Sequence, residues 1–265
     1  MSSLDTTEAI SAMRCTASAA QMQLTPMPSI ATGIRARTMA RLFTLAAYIA
    51  AAVAAAALTL PVASADAASD ERWPAPTSSL EFNPQDGSLN IEWSGPIVPG
   101  MADYVRGAFD RYGARSRRVV LFLDSAGGKV EEGDRVICLL DEIKQTHRLI
   151  TVVPDGKLCA SMCVPIFLKG DDRLAGRASL WIFHEASKRG ANRKERTEET
   201  LRLFDRYYVP AGVSTQWIKT IAPAIERAEL RQSGADLVGA KAGIVTLPPE
   251  KWSERLVAPQ RQKSI

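Results

Sequence analysis

The chain is poor in the residues that build metal centres. It has two histidines, His147 and His184, and four cysteines, none of them in a CxxC pair. That leaves no spacing suited to a zinc site, and no metal is expected. No basic stripe interleaved with aromatics is present, so nucleic acid is not expected as a partner. No internal repeat is visible.

The four cysteines are unevenly informative. Cys15 falls in the N-terminal segment, which leaves Cys138, Cys159 and Cys163. An oxidising compartment permits one disulfide among three, with one thiol left over. Cys159 and Cys163 are the candidate pair, but they are four residues apart. In a regular helix their Cβ atoms are too distant, so pairing requires Cys159 to sit in the turn before the helix. Cys138 points about 180° from the apolar stripe of its helix (Val136, Leu140, Ile143), beside Glu131, Asp134 and Glu142. It either pairs with another element or is exposed.

Residues 1–65 read as an N-terminal extension and signal peptide rather than fold. Arg35, Arg37 and Arg41 precede an uncharged Ala-rich run over 42–60, and the small residues Val62-Ala63-Ser64-Ala65-Asp66-Ala67 follow. A basic start, an apolar middle and an A-x-A end are the marks of an export signal cleaved after Ala65 or Ala67. Met39 makes the better start. The alternative is an uncleaved membrane anchor over 42–60, since the run approaches spanning length. The expected location is periplasmic or secreted, with membrane contact only if the segment stays uncleaved. Removing this segment takes away four basic and two acidic residues, so the net charge falls from +4 to +2. The remaining roughly 200 residues suit one domain.

Residues 66–87, rich in Pro, Ser and Asp, read as a flexible leader, 88–250 as the folded domain and 251–265 as a tail. Within the domain, 89–93 alternates as a first strand and 102–112 reads as a helix. Continuous apolar strands are expected at 118–123 and 149–153, with an amphipathic helix over 130–147 between them. A helix is expected at 161–168, despite Pro165, and a strand at 178–183 that ends at His184. The charged stretch 185–200 reads as a solvated flap. Helices follow over 197–208, 214–221 and from Ser233 to Gly243. His147 reads as a helix C-terminal residue favourable to the dipole. Strands alternating with helices at these spacings imply an α/β architecture.

Three segments carry chemistry. Asp124-Ser125-Ala126-Gly127-Gly128 follows an apolar strand, Cys159-Ala160-Ser161-Met162-Cys163 opens a helix, and Ile182-Phe183-His184 closes a strand. A Gly-Gly turn can offer a backbone N–H to a developing oxyanion. A serine at a strand-to-helix turn can attack a carbonyl, and a strand-end histidine can take its proton. Read singly, each has a plainer explanation: Ser161 an N-cap, Gly127-Gly128 a tight turn, and His184 a half-buried histidine holding a backbone carbonyl.

In this order, with 23 residues from Ser161 to His184, the segments resemble the proteolytic subunit of Clp protease. More broadly they resemble the Clp/crotonase superfamily, including periplasmic Clp-like proteins. The match covers about residues 117–186. Ala126 stands where the family has proline, and the run from Ser233-Gly234-Ala235-Asp236 to Gly243-Ile244-Val245 is similar to the family's closing helix. The resemblance implies a crotonase-like (Clp protease-like) ββα spiral in a single domain. It implies Ser161 as nucleophile, His184 as general base, and the N–H groups of Gly128 and Met162 as oxyanion hole. An exported serine peptidase acting on a peptide or protein substrate is the implied activity, with no cofactor and with a homo-oligomer as the implied assembly.

The acid is where the match weakens. Counting back from Ser233 reaches Glu229, with Asp205 as a rival; Asp236 explains itself as a capping-box residue. The missing acid and Ala126 keep a second reading open, a non-catalytic periplasmic crotonase-fold binding or scaffold protein. Acyl-CoA chemistry is a third reading, and export argues against it.

Overall fold

A computed structural model describes residues 74–186 and 190–247. The signal and anchor segment, Met39, Cys15 and the 251–265 tail lie outside the described residues. Among the described residues, no helix is long and apolar enough to cross a membrane.

The fold begins earlier than the flexible-leader reading allows. β1 (Thr77–Asn83) pairs antiparallel with β2 (Ser88–Ser94), from Thr77 opposite Ser94 to Asn83 opposite Ser88. The polar composition of this segment conceals two alternating apolar residues. Leu80 packs against the main core. Phe82 stacks on Tyr112 with ring centroids 5.6 Å apart. The Pro-Gln-Asp-Gly link is a turn with its own chemistry. Asn83 Oδ1 accepts from Gln85 N at 2.9 Å, and Asp86 Oδ1 accepts from the Ser88 amide at 2.9 Å.

β3 (Arg118–Asp124), β4 (Arg148–Val153) and β6 (Asp172–Ala175) extend this hairpin into a five-stranded sheet ordered β1-β2-β3-β4-β6, parallel from β2 onward. The uninterrupted apolar runs of β3 and β4 follow from burial on both faces. Leu121 and Leu149 join the main core, while Val120, Ile150, Val152 and Leu174 form a second cluster. The crossovers are α1 (Met101–Tyr112) and α2 (Val130–Lys144), which bury Met101, Val105, Val136, Leu140 and Ile143. α2 stops at Lys144, so His147 is not a helix-terminal residue. Its Nε2 instead bonds Gly113 O at 2.9 Å, and its ring meets Phe109 edge-on.

A second sheet, β5-β7-β8, is built from β5 (Leu158–Ala160), β7 (Leu180–Phe183) and β8 (Leu230–Ser233). Two successive turns of chain therefore lay a strand in the large sheet, then a short one in the small sheet, then a helix. β4, β5 and α3 (Cys163–Phe167) make one such turn; β6, β7 and α4 (Arg193–Leu203) make the next. This is the α/β ββα spiral expected from the sequence. β5 and β6 have three and four residues, too few to show a period, and β6 opens on two charges. Those charges are buried and largely paired: Arg148 clamps Asp172, and the two Nη atoms of Arg173 donate to the carbonyls of Leu168, Ala211 and Gly243, while its buried Nε has no partner among the described residues.

The expected flap over 185–200 is also corrected. α4 starts at Arg193 rather than Thr197, because Asn192 and Glu195 form a reciprocal capping box. It runs into a π-helical turn over Phe204–Tyr208. α5 (Thr215–Ile225) is capped by Ser214, and α6 (Gly234–Gly239) starts on the Ser233–Asp236 capping box read from the sequence.

Candidate active site

The two sheets are joined where β3 ends. Ser125 N donates to Leu158 O at 2.7 Å, and Ala160 N returns a bond to Ser125 O at 2.9 Å, so the chain leaving β3 becomes a neighbour of β5. Asp124 locks this junction. Its carboxylate accepts from Ser94 Oγ (3.1 Å), Lys157 Nζ (2.9 Å) and Leu158 N (3.1 Å).

Burial alone would raise the Asp124 pKa. The Lys157, Leu158 and Ser94 hydrogen bonds and the Lys157 charge outweigh it, and the pKa is lowered. A carboxyl lowered on folding contributes stability that is complete above its unfolded value, about 3.9, and is lost as pH falls through the folded one. Asp124→Asn is therefore expected to cost about 1 kcal/mol at neutral pH, a figure discounted because the side chain is 27% exposed. That cost should shrink toward zero once the pH falls below the lowered folded value. Urea unfolding of both proteins at neutral and acid pH checks it; a gap that widens on acidification would contradict the sign.

Beyond Asp124 the chain passes between two backbones. Gly127 O accepts from Ile97 N and Ile97 O accepts from Lys129 N, both at 2.8 Å. The Gly128 amide between them has no acceptor among the described residues. A Cβ on Gly128 would lie 2.2 Å from Ile97 O, and one on Gly127 would lie 2.5 Å from Ser161 Cβ and 3.1 Å from Met162 N. The glycine turn thus packs directly on the Ser161–Met162 turn, an approach that no side chain permits. The Met162 amide also has no acceptor among the described residues.

Ser161 is held in the left-handed region, with φ 51°. A non-glycine residue there costs of order 1–3 kcal/mol and persists only when its surroundings impose it. The serine is not a helix cap. Met162 occupies the cap position of α3 with no side-chain bond, and Ser161 Oγ has no hydrogen bond among the described residues. Three restraints impose the strained turn: Ser161 N donates to Ile182 O (3.4 Å), Ser161 O accepts from Val164 N (3.0 Å), and a disulfide links Cys159 to Cys163. Cys159 lies within β5 rather than in the turn expected for it, and Cys163 opens α3, with Cα atoms 5.3 Å apart; the strand places Cys159 outside the helix, as pairing at this spacing requires. Closing so short a loop is worth roughly 2 kcal/mol on chain-entropy grounds. No described cysteine is free.

His184 follows β7, the parallel neighbour of β5, in a register that pairs Ala160 with Ile182. The serine and the histidine therefore stand at the same end of adjacent strands. They are not hydrogen-bonded to each other among the described contacts. The half-buried imidazole is oriented by Nδ1, which lies 2.7 Å from Glu185 O. A carbonyl oxygen only accepts, so Nδ1 carries the proton and the lone pair is on Nε2.

Neither acid candidate reaches the ring. β7 and β8 pair Phe183 with Leu230, which brings the Glu229 backbone alongside His184, but the Glu229 carboxylate is 54% exposed and bonds Arg231 at 3.4 Å. Asp205 is exposed in the π-helical turn. The group on Nδ1 belongs to Glu185, which sequence reasoning passed over as flap. Its carboxylate accepts from Arg196 Nε (2.7 Å) and Thr197 Oγ1 (3.0 Å), and the Arg196 hydrogen bond holds its carboxyl below the usual carboxylate range. The Asn192-x-x-Glu195 capping box was the available signal, since it starts the helix that carries Arg196.

No family model matches the chain, and no curated protein matches it. Among solved structures it is similar to a point mutant of ClpP1 from Listeria monocytogenes, at 19% identity over 62% of this chain and 92% of that one, with a TM-score of 0.48. A likeness of that degree carries no residue roles.

Proposed function

We propose that the protein is a serine hydrolase, most simply a peptidase, with Ser161 as nucleophile and His184 as general base. The observation that carries this reading is the convergence of a strained, uncapped serine with two unused amides, those of Gly128 and Met162. Strain at a serine whose hydroxyl caps nothing has no structural return, whereas a nucleophile on a tight strand-to-helix turn is a recurring catalytic device. In the reaction, Ser161 Oγ forms a bond to the substrate carbonyl carbon as its proton passes to His184 Nε2. The carbonyl electron pair moves to oxygen and is held by the Gly128 and Met162 N–H groups. When the tetrahedral species collapses, the bond to the leaving group breaks and His184 returns the proton to it; water then repeats the sequence to free Ser161. Substrate binding draws Oγ and Nε2 together, as is common in sites that tighten only when occupied. Fluorophosphonate labelling tests the reading: the wild type is expected to be labelled and Ser161→Ala is not. Equal labelling of the two would reject Ser161 as nucleophile.

We further propose that it works outside the cytoplasm. The Cys159–Cys163 disulfide supports this, because such bonds persist in oxidising compartments. Export by the residue 1–65 segment and assembly as a homo-oligomer belong to the same proposal; fractionation and size-exclusion measurements test them. The second reading, a non-catalytic scaffold, draws on the absence of a described Ser161–His184 hydrogen bond. It predicts that Ser161→Ala leaves the biological phenotype intact.

A further inference from the structure

We propose that the role of a triad acid is filled here by the backbone carbonyl of Glu185, and that Arg196 and Thr197 are positioning residues that hold this carbonyl on His184 through the Glu185 carboxylate. The inference rests on the serine hydrolase reading for its catalytic meaning, but its geometry stands apart from it.

A general-base imidazole must keep its proton on the ring nitrogen remote from the nucleophile. A carboxylate normally enforces that tautomer and stabilises the imidazolium. At His184 the partner is Glu185 O, 2.7 Å from Nδ1. A neutral carbonyl enforces the same tautomer, although it supplies less charge stabilisation. Its difficulty is mobility, because a carbonyl just past a strand end moves with its loop.

The chain deals with this through one face of α4. Arg196 and Thr197 hold the two oxygens of the Glu185 carboxylate, and Thr200 Oγ1 accepts from the next amide, Ala186 N, at 2.8 Å. Arg196 is itself fixed, since its Nη1 donates to Ala191 O at 2.9 Å, and Thr200 Oγ1 donates to Arg196 O at 2.8 Å. The Glu185 side chain is only 11% exposed, so water competes little for it. Three side chains spaced i, i+1 and i+4 thus pin two consecutive residues directly after the histidine. α4 is highly charged, yet this part of it faces inward on a purpose that solubility does not explain.

The chain's two histidines make the test direct. His184 is expected as the Nδ1–H tautomer. His147, whose Nε2 meets Gly113 O, is expected as the opposite one. Long-range 15N–1H spectra of the full chain report both rings at once, with His147 as internal reference. Arg196→Ala and Glu185→Ala are expected to give mixed tautomers at His184 alone. They should also slow fluorophosphonate labelling roughly a hundredfold, the scale of loss from a misoriented catalytic group. In peptide hydrolysis the loss should fall on kcat rather than KM. Glu185→Gln, which keeps one acceptor oxygen for Arg196 Nε and turns an amide N–H donor toward Thr197 Oγ1, is expected to restore the tautomer and most of the rate. Glu229→Gln and Asp205→Asn should leave both unchanged. An Nε2–H tautomer at His184 in the wild type, unaltered spectra in Arg196→Ala and Glu185→Ala, or a tautomer change in Glu229→Gln would each overturn the proposal. Labelling that survives in Ser161→Ala would reject the hydrolase reading instead, while the spectra still decide the Glu185 contact.

Discussion

Ser161→Gly is expected to raise the melting temperature while abolishing fluorophosphonate labelling and hydrolysis. At φ 51° the serine occupies a conformation that costs a residue bearing a Cβ about 1–2 kcal/mol. Glycine removes that cost but adds freedom to the unfolded chain, a loss of roughly 0.4–1 kcal/mol. The hydroxyl makes no bond among the described residues, so little else is forfeited. The balance is a gain of about 0.5–1 kcal/mol, or roughly 1–4 °C for a domain of this size. Removal of a catalytic serine lowers kcat by at least about a thousandfold. Ser161→Ala should lose activity equally without the gain in stability, because alanine keeps the Cβ in the strained region. Calorimetry of the three proteins distinguishes the cases. If glycine lowers the melting temperature as core truncations do, Ser161 is a packing residue and its conformation has no functional cause.

The second large effect is expected at Gly127. A methyl there meets Ser161 Cβ at 2.5 Å, Ala160 O at 2.8 Å and Met162 N at 3.1 Å, and none of these is the free end of a flexible side chain. With φ at 95° the backbone is also unfavourable for alanine. Overpacking and backbone strain together place Gly127→Ala at roughly 3 kcal/mol of destabilisation. Relief can come only by parting the two turns, which separates the Gly128 amide from the Met162 amide. Loss of one such donor typically costs about 10²–10³ in rate, so activity per folded molecule should fall by about that factor. Rates measured well below the melting temperature, normalised to folded protein by circular dichroism, isolate the effect. Full activity in a destabilised Gly127→Ala protein would mean that the two amides do not act on a common oxyanion.

Much of the fold was legible because its signals are local. The apolar runs at 118–123 and 149–153, the amphipathic helix between them and the Ser233–Asp236 capping box each rest on residues within about fifteen positions. The elements that escaped notice lack such signals. Leu158–Ala160 is a strand because Ser125 pairs with one of its edges and β7 with the other, and no periodicity can appear in three residues. Thr77–Asn83 is polar on one side because it is a sheet edge, and composition alone made it look like a linker. The 193–199 charges conceal a helix whose cap was written in Asn192 and Glu195.

The candidate site divides in the same way. Residue types and their order were enough to single out the Gly127-Gly128 turn, Ser161 and His184, because a nucleophile, a base and a small donor turn have to come from a short list, and the family resemblance added the Gly128 and Met162 N–H groups as the expected donors. Which amides stay unused and which conformation the serine takes depend on hydrogen bonds between segments some 20 to 35 residues apart, and what holds the imidazole depends on the next residue and on a helix 11 to 14 residues further on. The acid shows the difference most plainly. A search for side-chain chemistry returns Glu229 and Asp205, while the group on the ring is a main-chain oxygen that every residue possesses. Only folding gives one carbonyl among so many a role, because only the packing of a helix against a strand end determines where that oxygen points.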